Sequence, residues 1–434
     1  MSQVHPQPQE QNHEAWRTTA EVSFPSMNRP AVLFVALLVF VHGTLLWLML
    51  TRQLDPLFND AKHRLGPGTD FAAYYYAGIG VLSGKGAYGH GPGFGFRYHP
   101  LFAGAIGIFF GGMSISSAYI IWCILHEIGF FWIWTRLPSI CTSRREFILL
   151  STFLVFFSPY YLEVYMGNAS FLSSVILFQT ILLISRNRHL AATILLVFSI
   201  IVKPIGIVLL SLQIIQGRWR STAAIGVLFM LSAVPFFWKN LQALYHVTFL
   251  NLAAIPMKGW VVHGGNQGLH AFVVNLCARI AGIPVSQLSS YSELPQYSLL
   301  LVYLLPLLLV VLSFAASFQY RNRTYLLAFL WFSTYLLGYK DVWEHSYSIC
   351  IVVLLCAWMS DFFPRRLLLL AALLMALPTA FVFYDLALPA GPNDPERYWS
   401  HAVSIVHHST KPAAILLPYA YAIWKALLEQ KAPL

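Results

Sequence analysis

The run AVLFVALLVFVHGTLLWLML, from Ala31 to Leu50, decides the class of fold. It carries no charged side chain, and a helix of about 20 apolar residues spans the roughly 30 Å hydrocarbon core of a membrane. The run is too long for the core of a signal peptide and has no small-residue cleavage site, so we predict an uncleaved span. The residues before it, about 1–30, are polar and rich in Pro, Gln and Glu, which predicts a disordered tail in the cytoplasm.

The composition of the whole chain also indicates a membrane protein. Of 434 residues, 58% are apolar and only 10% are charged, whereas soluble domains contain roughly 25% charged residues. An ordinary soluble fold is therefore excluded. Five scattered cysteines without a CxxC pair indicate neither a disulfide framework nor a structural zinc site. The net charge of +10 does not indicate a nucleic-acid partner, because the basic residues come in twos and threes between apolar runs.

Eleven further apolar stretches are candidate spans, so we predict an all-α polytopic membrane protein with about 12 transmembrane helices. They lie near 116–136, 147–161, 169–186, 190–202, 205–216, 221–238, 297–318, 324–339, 346–360, 366–386 and 412–428. A shorter stretch, 100–112, begins at Pro100 and would break the alternation of loops if it crossed the membrane. We therefore predict a half-buried juxtamembrane helix there.

The distribution of Lys and Arg orients these spans. Fifteen basic residues fall on one side, in short loops and the two tails, and the other 12 are spread mainly over three long loops. The positive-inside rule places the first side in the cytoplasm. A single transmembrane domain then covers 31–428, its outer loops cover about 52–115, 239–296 and 387–411, and 429–434 form a cytoplasmic tail.

The first outer loop holds the densest polar stretch, GTDFAAYYYAG, which runs from Gly68 to Gly78. Read as a helix from about Asp70, it places Asp70, Tyr74 and Gly78 on one face. Asp70 then has two interpretations. It is either a helix N-cap, a position that Asp favours, or a general base held in an apolar groove at the membrane surface. The spacing alone leaves both open.

Two basic residues on the predicted outer side are candidates for phosphate binding. Arg97, just before Pro100, would hold a phosphate or extend to lipid headgroups. Lys203-Pro204 interrupts an apolar run of some 25 residues. Proline should end the helix there and turn Lys203 outward. Lys203 then suits an anionic lipid phosphate, and a plain interfacial anchor is the alternative.

Two later turns add polar groups on the same side. The amides of Asn266 and Gln267 follow two glycines and suit hydrogen bonds to a sugar or phosphate, with a plain polar turn as the alternative. The turn KDVWEH, Lys340–His345, lies between two spans. Trp343 and His345 would face a sugar and a phosphate, although an aromatic belt explains Trp343 and a solvated loop explains the charges.

Metal chemistry is not indicated. His126-Glu127 lies within a span and does not continue as HExxH, so a hydrogen bond in the bundle interior is expected. The chain contains no DxD motif, which weighs against a divalent-metal site for a nucleotide-sugar. We predict no metal and no cofactor.

In this order, the motifs resemble glycosyltransferase family 87, a group of GT-C-type membrane enzymes that includes polyprenol-phosphate-mannose-dependent α-mannosyltransferases. The resemblance covers about residues 31–428. The matching residues are Asp70-Phe71, Tyr74-Tyr75-x-Ala77-Gly78, Leu82, Gly84, Tyr88, Arg97–Phe102, Lys203-Pro204, Gly265–Leu269 and Trp343–His345. Two positions depart from the family pattern. Gly167-Asn168-Ala169-Ser170 stands where the family often has Gly-Gln-x-Asn, and Ser346 follows His345 where a second histidine is common.

The resemblance implies a GT-C fold and an inverting hexosyltransferase that moves a sugar, mannose, from a polyprenyl-phosphate donor to a lipid or glycan hydroxyl. The reaction would occur on the periplasmic face of a bacterial inner membrane, without nucleic acid. Asp70 would be the general base. The donor phosphate would be held by Lys203, Arg97, His345 and Lys340. The substrate contacts would be Tyr74, Tyr75, Tyr98, His99, Asn266, Gln267, Trp343 and Glu344.

Two other functions compete with sugar transfer. A transporter or flippase for a lipid-linked sugar would also suit the broken helix at Lys203-Pro204. However, the sequence shows no internal repeat, and its charges gather at one face rather than at the midplane. Another lipid-phosphate enzyme, one that moves phosphoethanolamine or an acyl group, is the second alternative.

Overall fold

The computed structural model describes residues 29–54, 67–89, 95–237, 266–283, 293–340, 342–378 and 401–429. Within these ranges the chain is helical apart from turns and an isolated antiparallel bridge between Asn266 and Trp343. The predicted tails and most of the predicted outer loops 239–296 and 387–411 lie outside the described residues. The chain divides into two compact units, 1–45 and 46–434, and the second holds every helix after α1.

The helices follow one another with short connections. The α-helices of the described residues are α1 Arg29–Leu50, α2 Thr69–Leu82, α3 Pro100–Phe110, α4 Ile115–Ile140, α5 Arg144–Val155, α6 Ser158–Met166, α7 Ser170–Ser185, α8 His189–Val202, α9 Val208–Ile215, α10 Trp219–Phe237, α11 Leu269–Ile280, α12 Gln296–Gln319, α13 Thr324–Gly338, α14 Cys350–Met359, α15 Arg365–Ala376 and α16 His401–Glu429. Two 3₁₀ helices, Pro204–Ile207 and Glu344–Ile349, precede α9 and α14.

Several of these helices are compatible with a membrane protein. Among the described residues, four stretches are long and apolar enough to cross a bilayer: Ile115–Ile140, Arg144–Met166, Trp219–Phe237 and Gln296–Gln319. The second of these joins α5 to α6 across a short break. The other apolar helices are shorter, at 10–17 residues. The all-helical class is therefore observed, and the number of 12 spans stays a prediction.

The helix break and a short helix after Pro100 lie where the sequence places them, and the juxtamembrane position of that helix stays a prediction. α8 ends at Val202, Lys203 is extended at φ −153° and ψ 130°, and the 3₁₀ helix Pro204–Ile207 follows. Proline lacks an N–H and disfavours helical geometry in the residue before it, which explains the break. The stretch predicted at 100–112 forms the 11-residue helix α3.

The loop predicted at 387–411 differs from the structure at its C-terminal end. α16 begins at His401 and continues past Lys411, Pro412 and Pro418 to Glu429. The expected boundary at Lys411 fails because its charge is compensated within the bundle, where the side chain is fully buried. Proline within a membrane helix is tolerated when neighbouring groups satisfy the freed backbone.

The loops that carry the predicted cytoplasmic arginines gather at one end of the second unit. The contacts that join them are Gln216 Nε2 to the Arg321 carbonyl (3.3 Å), Arg323 to the ring of Phe362 (5.7 Å) and Arg365 Nε to Glu146 Oε1 (3.4 Å). These loops lie at the ends of α7 and α13 that are remote from Ser170 and Tyr339. The arginine-bearing loops thus lie at one end of the unit, and their side of the membrane stays a prediction.

Helices α2 and α3 pack backbone against backbone. A Cβ atom built on Gly78 would lie 2.5 Å from the backbone nitrogen of Gly107, and one on Gly107 would lie 2.5 Å from the carbonyl oxygen of Gly78. Small residues permit such close helix contacts in membranes. This contact fixes α2, the helix that carries Asp70, against its neighbour.

We expect Gly78→Ala to lower the unfolding free energy by about 1–3 kcal/mol, since the added methyl must push two backbones apart. Gly104→Ala is the matched control, because its Cβ would meet only Phe236 and Val81 side chains at an ordinary 3.7 Å. The measurement is the thermal unfolding midpoint of the purified variants. Equal midpoints for the two variants would contradict the close contact.

Candidate active site

The turn between α6 and α7 is the junction on which the site is built. Gly167 adopts a left-handed φ of 70°, and a Cβ there would lie 2.6 Å from the Cβ of Phe71. The indole of Trp122 donates a hydrogen bond to the Gly167 carbonyl at 3.0 Å. His126, buried on α4, contacts the Asn168 carbonyl through Nε2 at 2.9 Å. The bundle-interior hydrogen bond predicted for His126 is thus present, and it fixes the turn.

The Asn168 side chain joins a carboxylate to an ammonium group. Its Nδ2 donates to Asp70 Oδ2 at 2.7 Å, and its Oδ1 accepts from Lys203 Nζ at 2.8 Å. The same oxygen accepts from the backbone N–H (3.0 Å) and the hydroxyl (2.9 Å) of Ser170, which also contacts Lys203 Nζ. These donors fix the orientation of the amide, with oxygen toward the cation and nitrogen toward the carboxylate.

Asp70 is not the N-cap of its helix. Gly68 is the cap residue, with φ 72° and no side-chain cap bond, and its N–H donates to the Tyr165 carbonyl at 2.8 Å. Asp70 is the second residue of α2 and turns its carboxylate to Asn168 instead. Desolvation raises the pKa of Asp70 above its ordinary value, while Asn168 and the charge of Lys203 lower it. Of the two interpretations left open by the sequence, the geometry favours a proton acceptor.

Lys203 has aromatic and polar neighbours besides Asn168. Its Nζ lies 6.0 Å from the centroid of the Tyr98 ring, and that ring meets Tyr74 edge to face at 5.4 Å. His345 is buried within electrostatic range of Lys203. Five residues predicted for the site are therefore brought together: Asp70, Tyr74, Tyr98, Lys203 and His345.

A small cavity opens beside Lys203. Its walls are Ser170, Lys203, Ile205, Tyr335, Leu336, Tyr339, Val342, Ser346 and Ile349. Lys203, two serines and two tyrosines thus line the cavity together with apolar side chains. Such a lining suits an anionic head group attached to an apolar chain, because Lys binds phosphate as a point charge.

Asn266 and Gln267 are built into the frame of the site. Asn266 Nδ2 donates to the Lys340 carbonyl at 2.7 Å, and Oδ1 accepts from the backbone N–H groups of Gly268 and Val342 at 3.2 Å. Gln267 is fully buried, with its Nε2 at 3.3 Å from Nε2 of His407. Direct contact of the Asn266 side chain with a substrate would require these bonds to open, whereas the buried Oε1 of Gln267 has no hydrogen-bond partner among the described residues.

Two further residues that were predicted to contact the substrate form bonds within the protein instead. His99 caps α3, since its Nδ1 accepts from the Leu101 N–H at 3.2 Å, and burial lowers its pKa to about 4. Glu344 Oε1 lies 3.7 Å from the ammonium of Lys411 and accepts from the Ser158 hydroxyl at 3.3 Å. Both side chains are buried.

The remaining predicted residues lie around the centre. The Tyr75 hydroxyl donates to the Met113 carbonyl at 2.7 Å, and Arg97 is exposed. Lys340 is half-buried, and its positive charge lies within electrostatic range of His270. The half-buried Trp343 stacks on His345 with ring centroids 6.5 Å apart.

Sequence reasoning did not assign Asn168, Ser170 and Glu163 to the site. Glu163 is fully buried, accepts the Phe171 N–H at 2.6 Å and accepts the Ser348 hydroxyl at 2.7 Å. The available signals were an acidic residue inside an apolar stretch and a polar turn that departs from the family pattern. No spacing rule connects these residues to Asp70 or Lys203, which are distant in sequence.

Comparison with known proteins gives one match. The family model of glycosyltransferase family 87 matches residues 96–339, which is more than half of the chain. No curated protein and no solved structure matches. The matched segment contains Lys203 together with Asn168 and Ser170, its partners at the site. On this evidence the protein belongs to glycosyltransferase family 87, and its activity is the transfer of a sugar from a donor to an acceptor.

Proposed function

We propose that the protein transfers a sugar, mannose, from a polyprenyl-phosphate donor to a hydroxyl of a lipid or glycan acceptor, with inversion. The observation that carries this proposal is the chain of hydrogen bonds from Asp70 through Asn168 to Lys203. It provides a proton acceptor and a cation at fixed separation, as attack on a phosphate-activated sugar requires. Family membership supports sugar transfer, and the cavity lining supports a donor with a lipid chain.

Asp70 is the general base. Only its Oδ2 accepts from Asn168, and no described residue donates to Oδ1. Oδ1 takes the proton of the acceptor hydroxyl as that oxygen attacks the anomeric carbon. Glu163 is fully buried with both oxygens engaged, so it does not offer a second carboxylate as a nucleophile. Asp70 is thus the one available carboxylate among the described residues of the site, which favours a single displacement that inverts the anomeric centre.

Lys203 stabilises the leaving group. The donor phosphodiester becomes a monoester as the sugar departs, and negative charge grows on its oxygens. Lys203 lines the cavity where that charge would develop, and His345 is buried within electrostatic range of Lys203. Arg97 and Lys340, farther out, add positive potential for the approach of the donor. The tyrosine and leucine walls of the cavity receive the first apolar units of the lipid chain.

The site works on the extracytoplasmic face of the bacterial inner membrane. Ser170 and Lys203 lie at the ends of α7 and α8 opposite the arginine-bearing loops near Arg186 and Arg188. Because short basic loops are retained in the cytoplasm, the site belongs to the opposite side. A lipid-linked donor reaches that side laterally, between helices.

We expect Asp70→Asn to lower turnover about 10²–10⁴-fold, because the amide cannot take a proton. The fold should persist, since Gly68 forms the cap of α2 and the side-chain oxygen left by the substitution can still accept from Asn168. The assay is sugar transfer by purified protein with a polyprenyl-phosphate donor, beside a thermal unfolding control. Retention of more than about a tenth of the activity would remove Asp70 from the role of base.

Lys203→Ala should lower kcat/KM for the donor by about 10–150-fold, the effect of losing one charge-assisted hydrogen bond. Lys85→Ala is the control, because Lys85 is an exposed lysine beyond the end of α2. Donor titrations of both variants provide the comparison. Similar small losses for both would make Lys203 an interfacial anchor.

Asn168→Leu should move the acid limb of the kcat/KM profile to higher pH. The hydrogen bond from Asn168 favours the charged form of Asp70, so its removal raises the pKa of the base, which must be deprotonated to act. Leu has the same branching as Asn and at least its volume, and so holds Lys203 away from Asp70. Ser173→Ala, which removes a buried hydroxyl bonded to Ser199 one turn along α7, is the control. An unmoved acid limb would contradict the role of Asn168.

A further inference from the structure

A second buried polar cluster lies behind the site, centred on Lys411 of α16. The Lys411 side chain is fully buried. Its Nζ donates to the carbonyl oxygens of Met375 and Leu377 at 2.5 Å and approaches the Ser158 hydroxyl at 3.4 Å. The carboxylate of Glu344 is 3.7 Å away. The cluster thus joins α6, α15, α16 and the 3₁₀ helix Glu344–Ile349.

The physical reason for this cluster is compensation of charge. An ammonium group away from water is costly unless it is paired and hydrogen-bonded. Glu344 supplies the opposite charge, and the last carbonyls of α15 supply acceptors that the helix itself leaves unsatisfied. Removing the Glu344 carboxylate leaves the buried Lys411 ammonium without this opposite charge. The ion pair therefore constrains the position of Glu344 strongly.

Glu344 is the first residue of a segment whose successive side chains reach different parts of the site. His345 stacks on Trp343 within electrostatic range of Lys203, and Ser346 lines the cavity. The Tyr347 hydroxyl donates to the Gln267 carbonyl at 2.8 Å, and the Ser348 hydroxyl donates to Glu163 at 2.7 Å. A shift of Glu344 would move His345 and Ser346 with it, since the intervening backbone is a tight 3₁₀ turn.

We infer that the Lys411–Glu344 ion pair is a positioning device, which holds the 3₁₀ helix so that His345 and Ser346 face the donor phosphate. This inference rests on the proposed function for the identity of the ligand. Glu344 is then a positioning residue and not a substrate ligand, in contrast to the role that the family resemblance implies. Lys411 does not bind the phosphate itself, because its ammonium is enclosed by carbonyl, hydroxyl and carboxylate oxygens.

The position of the segment can be measured without activity. A Ser346→Cys thiol lies on the cavity wall, and its rate of reaction with a soluble maleimide reports on its surroundings. Protein without Ser346→Cys gives the background of the native cysteines, of which all but Cys141 are buried. We expect Glu344→Gln to change the labelling rate severalfold. Pairing Glu344→Gln with Lys411→Gln should restore the original rate, since no charge is left unpaired and donors to the carbonyls remain.

Glu146→Gln is the matched control. It removes the carboxylate of another interhelical ion pair, with Arg365 at 3.4 Å, at the end of the unit remote from the site. It should leave both the labelling rate and sugar transfer unchanged. An unchanged labelling rate in Glu344→Gln, or a change of the same size in Glu146→Gln, would overturn the inference.

Sugar transfer gives the second readout. We expect Glu344→Gln to lower donor kcat/KM about 2–30-fold, the range for residues that act through others. The same change should have a smaller effect on a His345→Ala background, because one of the two groups that the ion pair positions is gone. A merely structural role, or direct contact of Glu344 with the substrate, would give the full loss on both backgrounds and would overturn the inference. If wild-type protein transfers no sugar, the proposed function fails, and the labelling rates still decide whether the ion pair positions the segment.

Discussion

One side-chain amide keeps a carboxylate and an ammonium group apart at the centre of this protein. If Asp70 and Lys203 formed a direct ion pair, the lysine would hold the pKa of the carboxyl low and would be occupied by it. Asn168 prevents this, because an amide accepts at one end and donates at the other. In the proposed mechanism, Asp70 thus remains usable as the base, and Lys203 remains available to the donor phosphate. The orientation of the amide depends in turn on the Gly167 turn and on Ser170.

The packing around α2 fixes the position of Asp70. Phe71, next to Asp70, lies 5.4 Å from the ring of Trp122, whose indole also holds the turn before Asn168. The α2–α3 contact at Gly78 and Gly107 fixes the other end of the same helix. Aromatic rings and glycines thus position Asp70 from both sides, with no contribution from side-chain capping of α2. Preorganisation of this kind limits the rearrangement needed when substrates bind.

Local features of the fold could be predicted from the sequence, because their causes are local. Pro204 ends α8 and Pro100 starts α3, as proline chemistry requires, and a helix begins beside Asp70. The partners of these groups could not be predicted. Asn168 is 98 residues from Asp70, and no periodicity connects them. The sequence places Lys411 in a loop because a lone charge usually ends a span, and its compensating carboxylate, Glu344, is distant along the chain. Amides such as that of Asn266 look identical in sequence whether they bind a ligand or support a turn.

The direction of the helices around the site has a consequence for how the phosphate is attracted. Both α2 and α7 begin there, at Thr69 and Ser170. Peptide dipoles sum to about half a positive charge at a helix N-terminus. Part of the positive potential at the site therefore comes from backbone groups, which neither titrate nor change conformation when a ligand leaves. The attraction for an anionic head group persists across pH, whereas the proton acceptor beside it responds to pH. Binding and chemistry at this site thus depend differently on acidity, although a single amide separates the groups responsible.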